Sequence, residues 1–255
     1  MRNYLHRVQR YFCRIPSNVK VIFPHVPKCG GNSVIKSLQQ GGIRASNYFE
    51  VDYLDTSICD HLSQNDVGCW LSISSNIFSY KCLTSKANLI VGHAPLVELT
   101  RRSIEPTTKV ITLLRDPVDR WISNYIYDRY KPSGPGKHNL NIEDYLLSAK
   151  GRLSGQYYTY FFASVESKSK EEIIQEAVMN LSSFDLIGFT FKINHFFIQL
   201  QELIGFSLDI KQVNQSPKAQ VAEAIRADDK VMQKIKSICE MDLIIYQECL
   251  KNLST

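Results

Sequence analysis

Phe23-Pro24-His25-Val26-Pro27-Lys28-Cys29-Gly30-Gly31-Asn32-Ser33 sets a lysine, two glycines and a hydroxyl at the point where an apolar run gives way to a helical spacing. Upstream, residues 19–26 are rich in Val, Ile and Phe and read as a short buried strand. Downstream, Ser33, Val34, Ile35 and Leu38 open a helical pattern over 31–40 that closes at Gly41-Gly42. A loop containing Gly30-Gly31 can turn several backbone N–H groups toward one anion, and the N-terminus of the following helix adds about half a positive charge there. The order of residues is not that of a nucleoside-triphosphate loop, G-x-x-x-x-G-K-[ST], in which lysine follows the glycines and a neighbouring hydroxyl binds Mg²⁺. Here Lys28 precedes Gly30-Gly31 and Ser33 comes after them. Taken alone, the same stretch also fits an ordinary Gly-Gly turn with a solvated lysine.

A second segment repeats the design. Lys109-Val110-Ile111-Thr112-Leu113-Leu114 reads as a strand and runs straight into Arg115-Asp116-Pro117-Val118-Asp119-Arg120-Trp121-Ile122-Ser123. Asp116 is a good N-cap and Pro117 a good first helical residue, so strand, tight turn and helix follow one another again. Arg115 then stands at the carboxyl end of a strand, with Ser123 about two turns into the helix. Ligands of open parallel sheets bind outside the carboxyl ends of the strands, so both motifs are expected to open onto one crevice. A salt bridge from Arg115 to Asp116, Asp119 or Asp128 is the purely structural alternative.

Four candidate parallel strands, at 19–26, 87–92, 109–114 and 184–189, alternate with helical patterns at 31–40 and 117–130. They predict an α/β, three-layer P-loop-like fold with a central parallel sheet flanked by helices. Residues 168–182, 192–205 and 218–250 read as largely helical, whereas 43–86 hold short strands and turns whose order the sequence does not give. Residues 1–18 form a basic amphipathic segment, with Tyr4, Leu5, Val8, Tyr11, Phe12 and Ile15 along one helical face and Arg2, Arg7, Arg10 and Arg14 elsewhere. Such a helix docks on the domain's own surface or rests on anionic lipid, a peripheral membrane contact through residues 1–15. Residues 19–255 read as a single domain.

The pair PHVPKCGGNS and RDPVDRWISNYIY resembles the two cofactor motifs of the carbohydrate O-sulfotransferases, the family that includes the heparan-sulfate 2-O- and 6-O-sulfotransferases and many bacterial relatives. In that family the first motif grips the 5′-phosphosulfate of 3′-phosphoadenosine 5′-phosphosulfate (PAPS), and the arginine and serine of the second hold the 3′-phosphate. The resemblance therefore implies Lys28, Gly30, Gly31, Asn32 and Ser33 on the 5′ side and Arg115 and Ser123 on the 3′ side. It extends in weaker form from about residue 19 to the end. Asn88 to His93 is similar to a strand ending in Gly-His, Gln156 falls near an Asn-x-Gln element, and Phe184 to Gly188 with Phe196 to Leu203 is similar to a late strand and helix. Val213-Asn214-Gln215-Ser216-Pro217-Lys218 resembles an Asn-x-Ser loop and brings Lys218 to the nucleotide. The chain departs from the pattern after Gly188, where relatives often read Leu-Thr-Glu-x-Phe and this sequence has Phe189-Thr190-Phe191-Lys192.

The resemblance implies sulfonate transfer to a hydroxyl of a saccharide or glycoconjugate by in-line displacement. Such a reaction needs positive charge at the departing phosphate, from Lys28 and the loop amides, and a base for the attacking alcohol. His25 ends the first strand and His93 the second. Enzymes of the 6-O type carry their base at the position matching His25 and those of the 2-O type at the position matching His93. Placement next to Lys28 favours His25, with His93 orienting the acceptor or acting as the alternate base. No Walker B carboxylate stands out, so no metal is expected.

With 255 residues and 44% hydrophobic content the chain can bury a full core, and a net charge of +5 without a long basic run suits an anionic cofactor rather than nucleic acid. Its seven cysteines are odd in number and contain no C-x-x-C pair, which points to a reducing compartment rather than to a disulfide framework or a zinc site. Cys29 is a special case: a helix N-terminus and Lys28 act to lower its pKa, while a tight turn calls for a small, inert residue. No run of about 18 apolar residues exists, so a cytoplasmic enzyme is expected, membrane-associated if residues 1–15 bind lipid, a trimmed luminal domain being the alternative. Lys131-Pro132-Ser133-Gly134-Pro135-Gly136-Lys137-His138 reads as a basic Pro/Gly loop, either a lid or acceptor contact or a solvated surface loop. Two other classes fit the same residues: a kinase-like nucleotide-binding enzyme, and a non-catalytic protein that holds 3′-phosphoadenosine 5′-phosphate or a sulfated glycan.

Overall fold

The computed structural model describes residues 19–44, 49–63, 66–164, 166–210 and 218–252, the side chains of 40–44 and 252 excepted. The basic helix read over residues 1–18 lies outside the described residues, as does the loop from Val213 to Pro217. In chain order the elements are β1 (Val21–Pro24), α1 (Gly31–Arg44), β2 (Val51–Tyr53), α2 (Ser57–Ser63), α3 (Val67–Thr84), β3 (Leu89–Gly92), α4 (Glu98–Ser103) and β4 (Lys109–Leu114). They are followed by α5 (Pro117–Tyr130), α6 (Ile142–Leu147), α7 (Ala149–Ser154), α8 (Tyr157–Phe162) and α9 (Lys170–Ser182). The last are β5 (Leu186–Phe189), a 3-10 turn (Thr190–Lys192), α10 (Ile193–Ile204), α11 (Ala219–Arg226), α12 (Asp229–Ile238) and α13 (Glu240–Asn252). The described residues divide into two compact units, those within 19–25, 30–113 and 184–210 in the first and those within 26–29, 114–183 and 218–252 in the second.

The first unit is built on the sheet, ordered β2-β3-β1-β4-β5, in which β1 runs parallel to β3 and β4, and β2 parallel to β3. Alternation of side chains makes the layers. Val21, Phe23, Leu89, Val91, Ile111 and Leu113 point to one face, where Val34, Ile35 and Leu38 of α1 and Phe196, Phe197 and Leu200 of α10 cover them. Ile22, Ile90 and Val110 point the other way, onto Phe78 and Cys82 of α3. A sheet covered on both sides reads as continuous Val/Ile/Leu runs, which is why these strands were visible as apolar stretches. Each buried aliphatic or aromatic side chain contributes about 1.5–3 kcal/mol. Gly92 is small for a reason: a Cβ there would lie 2.5 Å from the Phe78 ring.

The predicted architecture, a parallel α/β sheet between helical layers, is therefore the one observed, and the four expected strands all appear, with β2 added as a fifth. Strand β1 is the topological switch. From it the chain moves to the β2-β3 side and returns through β4 on the other side, so the loops leaving β1 and β4 are those next to the switch point, where such sheets bind ligands. The β1–β4 ladder pairs Val21 with Lys109 and Ile22 with Val110, and further along the Thr112 hydroxyl donates to the Pro24 carbonyl at 2.9 Å.

The second unit is helical. Val118, Trp121, Ile122 and Tyr125 of α5 form its core with Tyr145, with Ala222 and Ile225 of α11, and with Val231 and Ile235 of α12. The helical pattern expected over 218–250 is broken in two places. Asp228 stops one helix and caps the next, accepting from Lys230 N at 3.0 Å and Val231 N at 3.1 Å, and Cys239 ends α12 before α13 begins.

Candidate active site

The first motif leaves β1 through a tight loop whose shape follows from its residues. His25 still donates its backbone N–H to Gly92 O at 2.8 Å, and Cys29 N reaches back to Val26 O at 3.4 Å. Lys28 has φ +68° and Gly30 φ +79°, both left-handed. Glycine takes this conformation freely, whereas a lysine held there stores strain of the kind found at ligand-binding turns. Helix α1 then begins at Gly31 with no acidic residue in its first turn, as a site for an anion requires.

The histidines are on the first unit and do different work. Gly31 donates its N–H to His25 Nε2 at 3.2 Å, so that nitrogen is an acceptor and the first amide of α1 is turned to His25 rather than outward. A Cβ at Gly31 would lie 2.1 Å from the same ring nitrogen, so only glycine permits the contact. His93 Nδ1 lies 2.7 Å from the His25 carbonyl, which can only accept, so His93 Nδ1 carries a proton. The two rings lie 4.6 Å apart, His25 being buried between Phe23 and His93 while His93 is exposed. Asn32 is exposed and Ser33 buried, its N–H donating to Gly30 O at 3.0 Å.

The cations of both motifs are on the second unit, and there they meet. Arg115 Nη1 donates to the Lys28 carbonyl at 3.4 Å, and Lys28 Nζ lies 3.7 Å from the centre of the Tyr127 ring. Burial lowers the Lys28 pKa to about 8, opposed by Asp128 and reinforced by Arg115 and Lys131. Among the described residues Arg115 forms none of the salt bridges to Asp116, Asp119 or Asp128 that the structural alternative required. Asp116 instead caps α5, accepting from Val118 N and Asp119 N at 3.0 Å each, and Asp119 pairs with Arg226 at 2.7 Å.

Helix α5 lines up the rest. Ser123, Tyr127 and Tyr130 are spaced i, i+4 and i+7 and so share a face. Ser123 is half-buried on that face, Lys28 stacks on Tyr127, and the exposed Lys218 lies 5.3 Å from the centre of the Tyr130 ring. The two tyrosines were missed from sequence although their spacing from Ser123 was readable. They give the lysines an aromatic surface, a contact worth about 0.5–2 kcal/mol each.

Cys29 is buried and its thiol pKa is raised by desolvation, with Arg120 and Tyr158 pulling the other way. The thiol is thus small and buried, the second of the two sequence readings, and its Sγ lies 3.6 Å from Tyr158 Oη. The cations of the 131–138 loop are occupied within their own unit. Lys131 Nζ binds Asp128 at 2.7 Å and also the Pro135 carbonyl, and Lys137 Nζ donates to Arg129 O at 2.5 Å. Lys150 ties the loop down through Asp128 at 2.8 Å and the Gly136 carbonyl. His138 lies flat against Tyr145, ring centres 4.5 Å apart. Strapped in this way, the loop braces Asp128 beside Lys28.

No group of three or more His, Cys, Asp or Glu among the described residues could hold a metal ion, and no helix among them is long and apolar enough to cross a membrane. Comparison with curated proteins finds no match. The family model described as the sulfotransferase domain matches residues 24–175, more than half of the chain and a span that contains both motifs, His93 and Tyr158. The turn after β1, the turn after β4 and the helices that follow them are the matched part, and the protein belongs to the sulfotransferase domain family and is a sulfotransferase.

Proposed function

We propose that the donor is PAPS and that the acceptor is a hydroxyl of a saccharide or glycoconjugate. The observation that carries the reading is the hydrogen bond from the Arg115 guanidinium to the Lys28 carbonyl, which ties the cationic ends of the two motifs together. When bound, the donor supplies an activated sulfonate for in-line displacement. Lys28, Gly30, Asn32 and Ser33 hold its 5′ end; Arg115, Ser123 and Lys218 hold its 3′-phosphate. Gly31 holds the donor indirectly, by letting His25 approach the loop. In this reading residues 19–255 act as one sulfotransferase domain. The six described cysteines are all free thiols, which fits a reducing, cytoplasmic setting.

Proton abstraction falls to His93 rather than to His25, which its place beside Lys28 had favoured. To take a proton on Nε2, His25 must give up the Gly31 amide, whereas the exposed His93 is oriented by its own Nδ1 contact with the His25 carbonyl. In this account His25 sets the loop. The experiment is single-turnover transfer from labelled PAPS to cell-envelope glycans, read as a mass gain of one sulfonate. His93→Ala is expected to slow the chemical step by about 10²–10⁴ with donor affinity unchanged, and His25→Ala to weaken donor binding as well. Absence of transfer to any glycan fraction would remove the saccharide assignment, and a His93→Ala rate equal to wild type would remove the base.

The Lys28 amine also fixes an alkaline limit. Because burial disfavours its charged form, the free enzyme loses this cation as pH rises through about 8. A neutral amine attracts phosphate less, so kcat/KM for the donor is expected to fall above that pH. Bound anion favours the protonated form, so the limb in kcat should lie higher. In Lys28→Arg, whose guanidinium stays charged to above about pH 12, the limb should vanish even if the absolute rate drops. A pH profile of kcat/KM that keeps its limb near pH 8 in Lys28→Arg would contradict this.

A further inference from the structure

We infer that Tyr158, outside both motifs, is a positioning residue that locks the two nucleotide-binding turns to each other. Its phenol donates to the Arg115 carbonyl at 2.5 Å and accepts from the Arg115 N–H at 2.7 Å. A phenol has one hydrogen and two lone pairs, so with its hydrogen on the Arg115 carbonyl it can accept a second bond, and the Cys29 Sγ lies 3.6 Å away. One buried oxygen is thereby bonded to the residue that begins the second motif and to the residue next to Lys28 in the first. Both side chains stay protonated, since burial raises the pKa of Tyr158 and of Cys29 alike.

The clamp is itself fixed. Gln156 caps α8 with no side-chain bond, and Asp242 of α13 does so in its place, accepting from Tyr158 N, Thr159 N and the Thr159 hydroxyl at 2.9 Å each. Asp242, Tyr158 and Arg120 are completely buried, and the Arg120 guanidinium lies 4.5 Å from the centre of the Tyr157 ring and 5.8 Å from that of Tyr158. The backbone N–H and C=O of Arg115 have left the strand at this point, so their pairing with a rigid phenol determines where the guanidinium is presented.

The inference rests on the proposal that Arg115 binds the 3′-phosphate, and the two can fail separately. Dissociation constants are measured by calorimetry for 3′-phosphoadenosine 5′-phosphate and for AMP, which lacks the 3′-phosphate, in wild type, Tyr158→Phe, Arg115→Ala and the double variant. If wild type binds both nucleotides equally, the assignment of Arg115 fails, and the role inferred for Tyr158 fails with it. If wild type prefers the bisphosphate, Tyr158→Phe is expected to weaken the bisphosphate by about tenfold, the loss of a net hydrogen bond or two, and AMP by less than about twofold. In the double variant the loss should be no greater than in Arg115→Ala alone, because the clamp acts through that side chain. Equal weakening of both nucleotides, or additive losses, would reduce Tyr158 to a packing residue and overturn the inference. Should Tyr158→Phe not fold, amide hydrogen exchange in the unliganded wild type decides: protection of the Arg115 N–H is predicted, and exchange at the rate of an open turn would contradict it.

Discussion

Lys28→Ala is expected to lower sulfonate transfer by about 10²–10³ at saturating donor, the cost of removing one preorganised cation from developing charge in a water-poor site. The protein should remain folded. Lys28 makes a ring contact with Tyr127 but belongs to none of the hydrophobic clusters, and its charge is disfavoured by its own burial. Its left-handed φ of +68° is as uncomfortable for alanine as for lysine, so the exchange adds little strain. Circular dichroism and a thermal melt alongside the turnover assay separate the two effects. Activity near wild type in a folded Lys28→Ala would detach the loop from the chemistry.

Arg115→Ala acts on binding instead. If the guanidinium that donates to the Lys28 carbonyl also meets the 3′-phosphate, it makes charge-assisted hydrogen bonds of about 1.5–3 kcal/mol, so the dissociation constant for 3′-phosphoadenosine 5′-phosphate should rise by about tenfold to a hundredfold. AMP, without a 3′-phosphate, should bind as before, and kcat at saturating donor should change far less than in Lys28→Ala. Titration calorimetry with the two nucleotides reads the difference. Equal losses for both would mean that Arg115 supports the turn rather than the 3′-phosphate.

Both motifs were legible because each is local: an apolar run, a turn rich in special residues and a helix start within about a dozen positions. The neighbouring region was not. Strand β2 is three half-exposed residues defined only by its register with β3, Val51 opposite Leu89 and Tyr53 opposite Val91. Helix α3 blurs its pattern by burying Ser74 and Ser75 beside Phe78 and Cys82 while Tyr80 is 68% and Leu83 50% exposed, so its inner face reads as only weakly apolar. Tyr158 and Asp242 escaped notice for a different reason. Tyr158 meets Arg115 across 43 positions and Asp242 meets Tyr158 across 84, and a contact of that separation leaves no periodicity in the sequence. The ring nitrogens that the Gly31 amide and the His25 carbonyl engage, which separate His25 from His93 in the proposed reading, were likewise out of reach of the sequence.

In the proposed site the turns after β1 and β4 clasp one nucleotide between Lys28 and Arg115. A crystal structure with 3′-phosphoadenosine 5′-phosphate tests it most directly. The 5′-phosphate is expected against the Lys28 ammonium and the 3′-phosphate against the Arg115 guanidinium and Ser123. A nucleotide bound elsewhere, or one that reaches only one of the two side chains, would contradict it.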